Sequence, residues 1–327
     1  MKPHYKDKSM SNLAYKLKKI SKMNKTVVIK KLLSYDEVFT IGYRKRNKDI
    51  LPVSGFGEFD PVFNDKNYWY ADPILFTQNG DSYLFLELFD KRADKGKIAY
   101  CRLTDQGPTP FKVVIDEPFH MSFPMVFEFD GDIYMLPETS SDKSLRLYRA
   151  SAFPDKWELV QRFDTEGLYV DTVITHVGEK SFGILTCEAS PSKEYECRFQ
   201  KFEICKEGSG SFSLKEDKDF NSIQEFDLLS RNGGPVFEYD GKRYIAAQES
   251  SFSEYGLYMN YYEYDESSRK LATNPQFKKL SSKNFIIHGA PKGLGVHSYC
   301  FNDDSEIVDL KYMEFSKTKH FKRIAGR

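Results

Sequence analysis

The sequence has no excess of charge of either sign: Lys plus Arg and Asp plus Glu both number 48. That balance gives no reason for a nucleic-acid partner. There are only five cysteines, Cys101, Cys187, Cys197, Cys205 and Cys300, and no C-x-x-C pair among them. An odd, scattered set reads as free thiols in a reducing compartment. No apolar run reaches the roughly 18 residues needed to span a bilayer, and no apolar N-terminal stretch marks a secretory signal. A cytoplasmic protein is the expectation. Phosphate-loop, dinucleotide and nucleophile-elbow motifs are also missing. His120 and His288 precede strands, but no H-x-x-x-H or H-E-x-x-H spacing exists, so neither a metal nor another cofactor is expected.

What the sequence has in quantity is aromatic residues, 15% of the chain, with 27 Phe and 21 Tyr. They suit strands and sugar-binding surfaces better than helical bundles. Lysine is concentrated in residues 1–31, against a single acid, Asp7. Leu13, Leu17, Ile20 and Met23 recur at helical spacing among Lys16, Lys18, Lys19 and Lys22. Residues 1–36 are therefore read as a basic N-terminal extension. It is either a short amphipathic helix on an anionic membrane or a partner, or a solvated tail.

Residues 37–327 carry an internal repeat found through its turns. YADPILFTQNGDSYLFLELFD, MSFPMVFEFDGDIYMLPETS and GGPVFEYDGKRYIAAQESS each join two apolar strands through Asn79-Gly80, Asp130-Gly131 or Asp240-Gly241. Asn-Gly and Asp-Gly between alternating apolar runs are strong hairpin signals. Weaker copies turn at Gly178 and near Asn302-Asp303-Asp304. Asp72, Ser122, Asp171, Gly234 and His297 mark the first strands at intervals of 50, 49, 63 and 63 residues. About 50 residues per unit fits one propeller blade. The fold class is all-β, a five-bladed β-propeller, with Lys206–Asn221 read as an inserted polar loop.

In a propeller the first strand of each blade lines the channel and the second runs antiparallel beside it. The start of one and the end of the other meet at one mouth. Asp72 and Asp171 begin first strands, and Glu87, Glu138, Glu188 and Glu249 end second strands. Carboxylates gathered in one funnel have their pKa values pushed apart, which supplies an acid and a base together. Glycosyl transfer needs that pairing. Arg231, before two glycines, suits a phosphate or a sugar carboxylate. His297, among small residues, suits a sugar hydroxyl or a proton. Trp69, Ser122 and Gln248 join Glu87, Glu188, Arg231 and His297 as candidate substrate-binding residues. Trp69, Tyr70, Phe123, Tyr169 and Tyr255 are candidate stacking platforms.

Y-A-D-P, H-M-S-F-P…M-L-P-E-T-S, S-R-N-G-G-P-V-F and A-A-Q-E-S resemble the amino-terminal propeller domain of plant glucosamine inositolphosphorylceramide transferase and its bacterial relatives. The resemblance runs from about Val38 to His297. Its architecture is similar to that of furanosidase and fructan-active propellers of glycoside hydrolase families 43, 32 and 68. It implies Asp72 as base or nucleophile, Asp171 as the second Asp, and Glu138, Glu188 or Glu249 as acid. Two departures stand out. Blade two begins on Ser122 rather than an acid, and Glu249 lies where the family more often has Asp.

The resemblance and the residues together point to a cytoplasmic glycosyltransferase of surface polysaccharide, capsule or glycolipid biosynthesis, with its basic N-terminus at the inner face of the membrane. Its partners would be a sugar donor, nucleotide-activated, and a glycan or glycolipid acceptor. The alternatives are a furanosidase-type glycoside hydrolase or transglycosidase, and a non-catalytic carbohydrate-binding propeller.

Overall fold

A computed structural model describes residues 12–47, 57–62, 65–267, 271 and 277–324. Its strands form five sheets, one per blade, and the chain is a five-bladed β-propeller. Blade one uses Tyr68–Gln78, Asp81–Asp90 and Lys95–Thr104, with Gly107–Pro108 and Lys112–Ile115 outside. Blade two runs Ser122–Phe129, Asp132–Glu138, Ser144–Ala152 and Lys156–Asp164. Blade three runs Leu168–Val177, Ser181–Ala189, Cys197–Lys206 and Phe212–Glu216. Blade four has a broken inner strand, Arg231–Asn232 and Phe237–Tyr239, then Lys242–Glu249, Tyr258–Tyr264 and Leu280–Ser281.

The hairpins form for the reason their sequences give. Asn79-Gly80, Asp130-Gly131 and Asp240-Gly241 all have positive φ at both positions, which type I′ turns require and which these residues tolerate. Lys206–Asn221 is not a loop. Phe212–Glu216 completes blade three and Lys218–Asn221 forms a short helix. Phe212 packs on Tyr134 and Phe182, so its apolar burial outweighs the polar residues around it.

Blade five is built from both ends of the chain. Gly295–Phe301 and Ser305–Phe315 supply the inner strands, and Tyr35–Lys45 and Gly57–Val62 the outer ones. Tyr35–Lys45 pairs with Ser305–Phe315 over its whole length, from Tyr35 opposite Phe315 to Lys45 opposite Ser305. This pairing closes the ring by tying both ends of the chain into one blade. The core lies between blades: Phe85 meets Phe153 and Trp157, Phe127 meets Phe182, and Phe237 meets Phe301. Each buried Phe contributes about 1.5–3 kcal/mol. Helices α1 (Asn12–Lys22) and α2 (Lys25–Leu32) precede the first strand, and a further helix, Lys317–Ile324, follows the last.

Candidate functional site

One structural device recurs at the mouth of the channel. Register shifts interrupt the inner ladder after Ala71, Ser122, Val170 and Val296. The residue that bulges is Asp72 (φ 52°), Phe123 (φ 43°) and Asp171 (φ 47°) in blades one to three. Left-handed backbone at non-glycine residues is costly, and it clusters where side chains must be re-aimed. In blade two the bulge falls on Phe123, one residue beyond Ser122. Ser122 instead pairs with Glu138, as Ala71 pairs with Glu87. The matching Asp72-Pro73 and Phe123-Pro124 dipeptides are the signal that fixes this alignment.

The bulges aim Asp72, Asp171 and His297 at the axis, and all three are at most 6% exposed. His297 Nδ1 lies 2.8 Å from Asp309 Oδ2 and 3.2 Å from Asp72 Oδ1. The Asp72 backbone N–H also donates to Asp309 Oδ2, at 3.1 Å. On its other side His297 Nε2 meets the Tyr255 hydroxyl at 2.8 Å. Burial holds the Tyr255 hydroxyl protonated, so it donates to Nε2, and the imidazole proton sits on Nδ1 facing Asp309.

Arg231 bridges the second half of the site. Its Nε donates to Asp171 Oδ2 at 2.5 Å, and Nη2 lies 3.8 Å from Glu138 Oε2. Its guanidinium sits 4.9 Å from the Tyr255 ring centre. Glu138 also accepts from the Ser140 hydroxyl at 2.7 Å.

Burial dominates the electrostatics. It raises Asp72 to about 7, against the pull of His297 and with the push of Asp171 and Asp309. It raises Asp171 to about 7 despite Arg231 beside it. Glu87 and Asp309 stand well above the ordinary carboxylate range, again chiefly through burial. His297 is pushed down by the same burial. Among the described residues, the buried oxygens Glu87 Oε1, Asn232 Oδ1, Gln248 Oε1 and Asp309 Oδ1 have no hydrogen-bond partner. Buried acceptors are normally satisfied, so such a set calls for a ligand rich in donors. Among the described residues, Asp72, His297 and Asp309 also have the spacing to hold a metal ion, their ligand atoms lying within 4.8 Å of one another.

The structure thus brings together Asp72, Asp171, Glu87, Glu138, Arg231, Gln248 and His297. It separates Glu188 and Glu249. Glu188 is spent on Arg198 at 2.7 Å, and Glu249 on Lys279 at 2.7 Å and Asn260 at 3.0 Å. Trp69 is stacked on Phe89 at 4.4 Å and packed against Phe39. Tyr70 and Tyr169 pack on Phe111 and Phe202, and Phe123 is fully buried. Of the aromatic platforms, Tyr255 touches the cluster's polar groups. His120 accepts from the Gly96 N–H at 2.9 Å and is lowered to about 4 by burial. His288 stands beside Glu58.

Asp309, Asn232 and Lys311 were not visible as site residues. The signal was there for two of them: Asp309 and Lys311 alternate with Val308, Leu310 and Tyr312. A charged residue in an otherwise apolar strand is costly unless it is used. Lys311 is 2% exposed and its ammonium donates to the Tyr255 carbonyl, which seats the ring over the site.

The Tyr255 loop is held closely. A Cβ on Gly295 would stand 1.9 Å from the Gly256 carbonyl oxygen. Gly295→Ala should therefore displace this loop and destabilise the fold by roughly 1–3 kcal/mol. Thermal unfolding and the rate of proteolytic cleavage near Tyr255 would both register it; an unchanged cleavage rate would show that the loop tolerates the displacement.

Residues 62–286 match the family model described as "Glucosamine inositolphosphorylceramide transferase 1, N-terminal". The chain belongs to this family. It is 32% identical over 190 residues to glucosamine inositolphosphorylceramide transferase 1 of Arabidopsis thaliana, covering 55% of this chain and 23% of that protein. It is 31% identical over 228 residues to the namesake protein of Oryza sativa subsp. japonica, covering 68% of this chain and 29% of that one. The family member in hand thus spans less than a third of the length of these curated relatives. Among solved structures, a Bombyx mori family-32 β-fructofuranosidase is similar at TM-score 0.49 and 14% identity, over 81% of this chain and 70% of that one. A Coprinopsis cinerea family-62 α-L-arabinofuranosidase is similar at TM-score 0.48 and 11% identity, over 80% and 83%.

Proposed function

We propose that this propeller is a glycosyltransferase acting at the mouth of its funnel, on a nucleotide-activated sugar donor and a glycan or glycolipid acceptor. The observation that carries the reading is the pair Asp72 and Asp171, from different blades, both held near 7 in one closed, acceptor-rich cluster with Arg231. A carboxylate near 7 is suited to accept a proton at neutral pH. Asp72 takes the proton of the acceptor hydroxyl as its oxygen forms the bond to the anomeric carbon. Glu87, raised by burial well above the ordinary carboxylate range, hydrogen-bonds the sugar. Arg231, beside Asp171 and Glu138, faces the negative charge that develops on the departing group. The unpaired oxygens of Asn232 and Gln248 receive sugar hydroxyls. The names of the relatives support transfer of a sugar to a glycolipid. The expected cytoplasmic setting belongs to the same reading.

Incubation with a panel of nucleotide sugars, with and without glycolipid and oligosaccharide acceptors, tests it. Acceptor-dependent release of free nucleotide is the expected result. Cleavage of aryl furanosides with no use of nucleotide sugars would select a hydrolase. Saturable sugar binding without turnover in either assay would select a binding propeller.

A further inference from the structure

The chain's neutral total conceals a strong segregation of charge. Residues 1–33 carry ten lysines and one acid, and residues 316–327 carry five Lys or Arg and no acid. Residues 34–315 hold 33 basic against 47 acidic residues, a net of −14 balanced by the two ends. The strand ends from which both basic segments run, Tyr35 and Phe315, are at the mouth that holds the cluster. Tyr35 and Phe315 are paired at that end of blade five. The Ser316 N–H donates to the Ser34 carbonyl at 2.9 Å, and Lys319 reaches Asp36 at 2.7 Å.

The helices are docked in an inverted sense. Helix α1 meets the propeller through lysines. Lys19 pairs with Glu194 and lies 4.7 Å from the Tyr195 ring centre, while Lys18 and Lys22 stand 5.2 and 5.4 Å from the Phe252 ring centre. Leu17 and Ile20 of this helix face out, 58% and 50% exposed. Helix α2 buries Val27 but exposes Ile29, Leu32 and, at its cap, Leu33, each by 56–59%. These three lie on one stripe by their i, i+3, i+4 spacing. Lys16 and Lys25 are exposed beside these apolar stripes. Among the described residues no helix is long and apolar enough to cross a membrane.

We propose that this helical face seats the chain on an anionic lipid surface, with the funnel mouth turned toward the lipid. Exposed aliphatic side chains beside lysines are what an interfacial helix presents to headgroups and acyl chains. The body's net negative charge disfavours its approach to an anionic surface. Screening over about 8–10 Å lets the basic ends act locally, unopposed by the body's charge. The asymmetry therefore selects one orientation. That orientation presents a lipid-borne acceptor to the mouth, while the docking itself stands without the transferase reading.

Co-sedimentation of the full chain with phosphatidylcholine vesicles, with and without phosphatidylglycerol, is the test, with no sugar present. Binding to the anionic vesicles alone, weakened by raised salt, is expected. L17E/I20E and, separately, I29E/L32E should each weaken it at least about tenfold. These positions are exposed, so thermal unfolding should be unchanged, and the second pair serves if the first perturbs the fold. No sedimentation with anionic vesicles would overturn the proposal, as would equal binding to both vesicle types or wild-type binding by both variants. A dimer in solution that L17E/I20E dissociates would also overturn it, because a second copy would then own the face.

Discussion

Asp72→Asn is expected to cost about 10²–10⁴ in turnover, the usual contribution of a general base, while leaving the fold intact and more stable in mild alkali. Asn is isosteric and tolerates left-handed backbone, so the bulge at φ 52° survives. The stability gain follows from the raised pKa. Asp72 stands near 7 in the fold, against about 3.9 in an unfolded chain. The folded state therefore binds more protons between those values, and stability falls as pH rises from about 4 through 7. A neutral Asn has no such loss. Circular dichroism melts of both proteins from pH 5 to 8 should diverge upward in favour of the variant, as its activity disappears. The wild-type rate should fall as pH drops below about 7, because the base Asp72 is then protonated. Wild-type turnover in Asp72→Asn would end the assignment of Asp72 as base.

Arg231→Met is expected to destabilise the protein by about 3 kcal/mol above pH 7 and by less below it. The change orphans Asp171, which is 2% exposed and bonded to Arg231 at 2.5 Å. Removing one partner of a buried pair costs about 3–5 kcal/mol; the lower end applies because the Arg231 side chain is itself 23% exposed. Asp171 already stands near 7 with the guanidinium present, and without it moves higher. In acid the carboxyl is neutral and the orphan costs little; as pH rises the charge must be buried or the fold opened. The double variant Arg231→Met/Asp171→Asn should recover most of the stability and flatten the pH dependence. A single variant as stable as wild type at pH 8 would show that Arg231 does not offset the Asp171 charge.

Local chemistry made much of this protein readable from its sequence. Turn dipeptides such as Asn79-Gly80 require positive φ, so they declare their hairpins without tertiary help. The unit length and the placement of acids at strand ends then point to one rim, and Asp72, Asp171, Glu87 and Glu138 do meet there. Other features depend on pairings remote in sequence. Glu188 and Glu249 carry the same signal as Glu138, yet Arg198 and Lys279 neutralise them. No spacing rule reveals that Lys279, thirty residues from Glu249, returns beside it. Ser122 marks the entrance of blade two by interval, but the residue there with left-handed backbone is its neighbour Phe123, because the bulge is set by the ladder with the second strand.

The sequence by itself therefore determined the hairpins, the repeat and the kind of residue at the channel mouth, because turn propensity and alternation act over a few residues. The tertiary structure alone decided which carboxylates join the cluster and which are neutralised outside it, that Asp309 and Lys311 from the last strand complete the cluster, and that the basic helices turn Leu17 and Leu32 outward. Those outcomes rest on burial and on charge pairing between distant segments, and both exist only once the ring has closed.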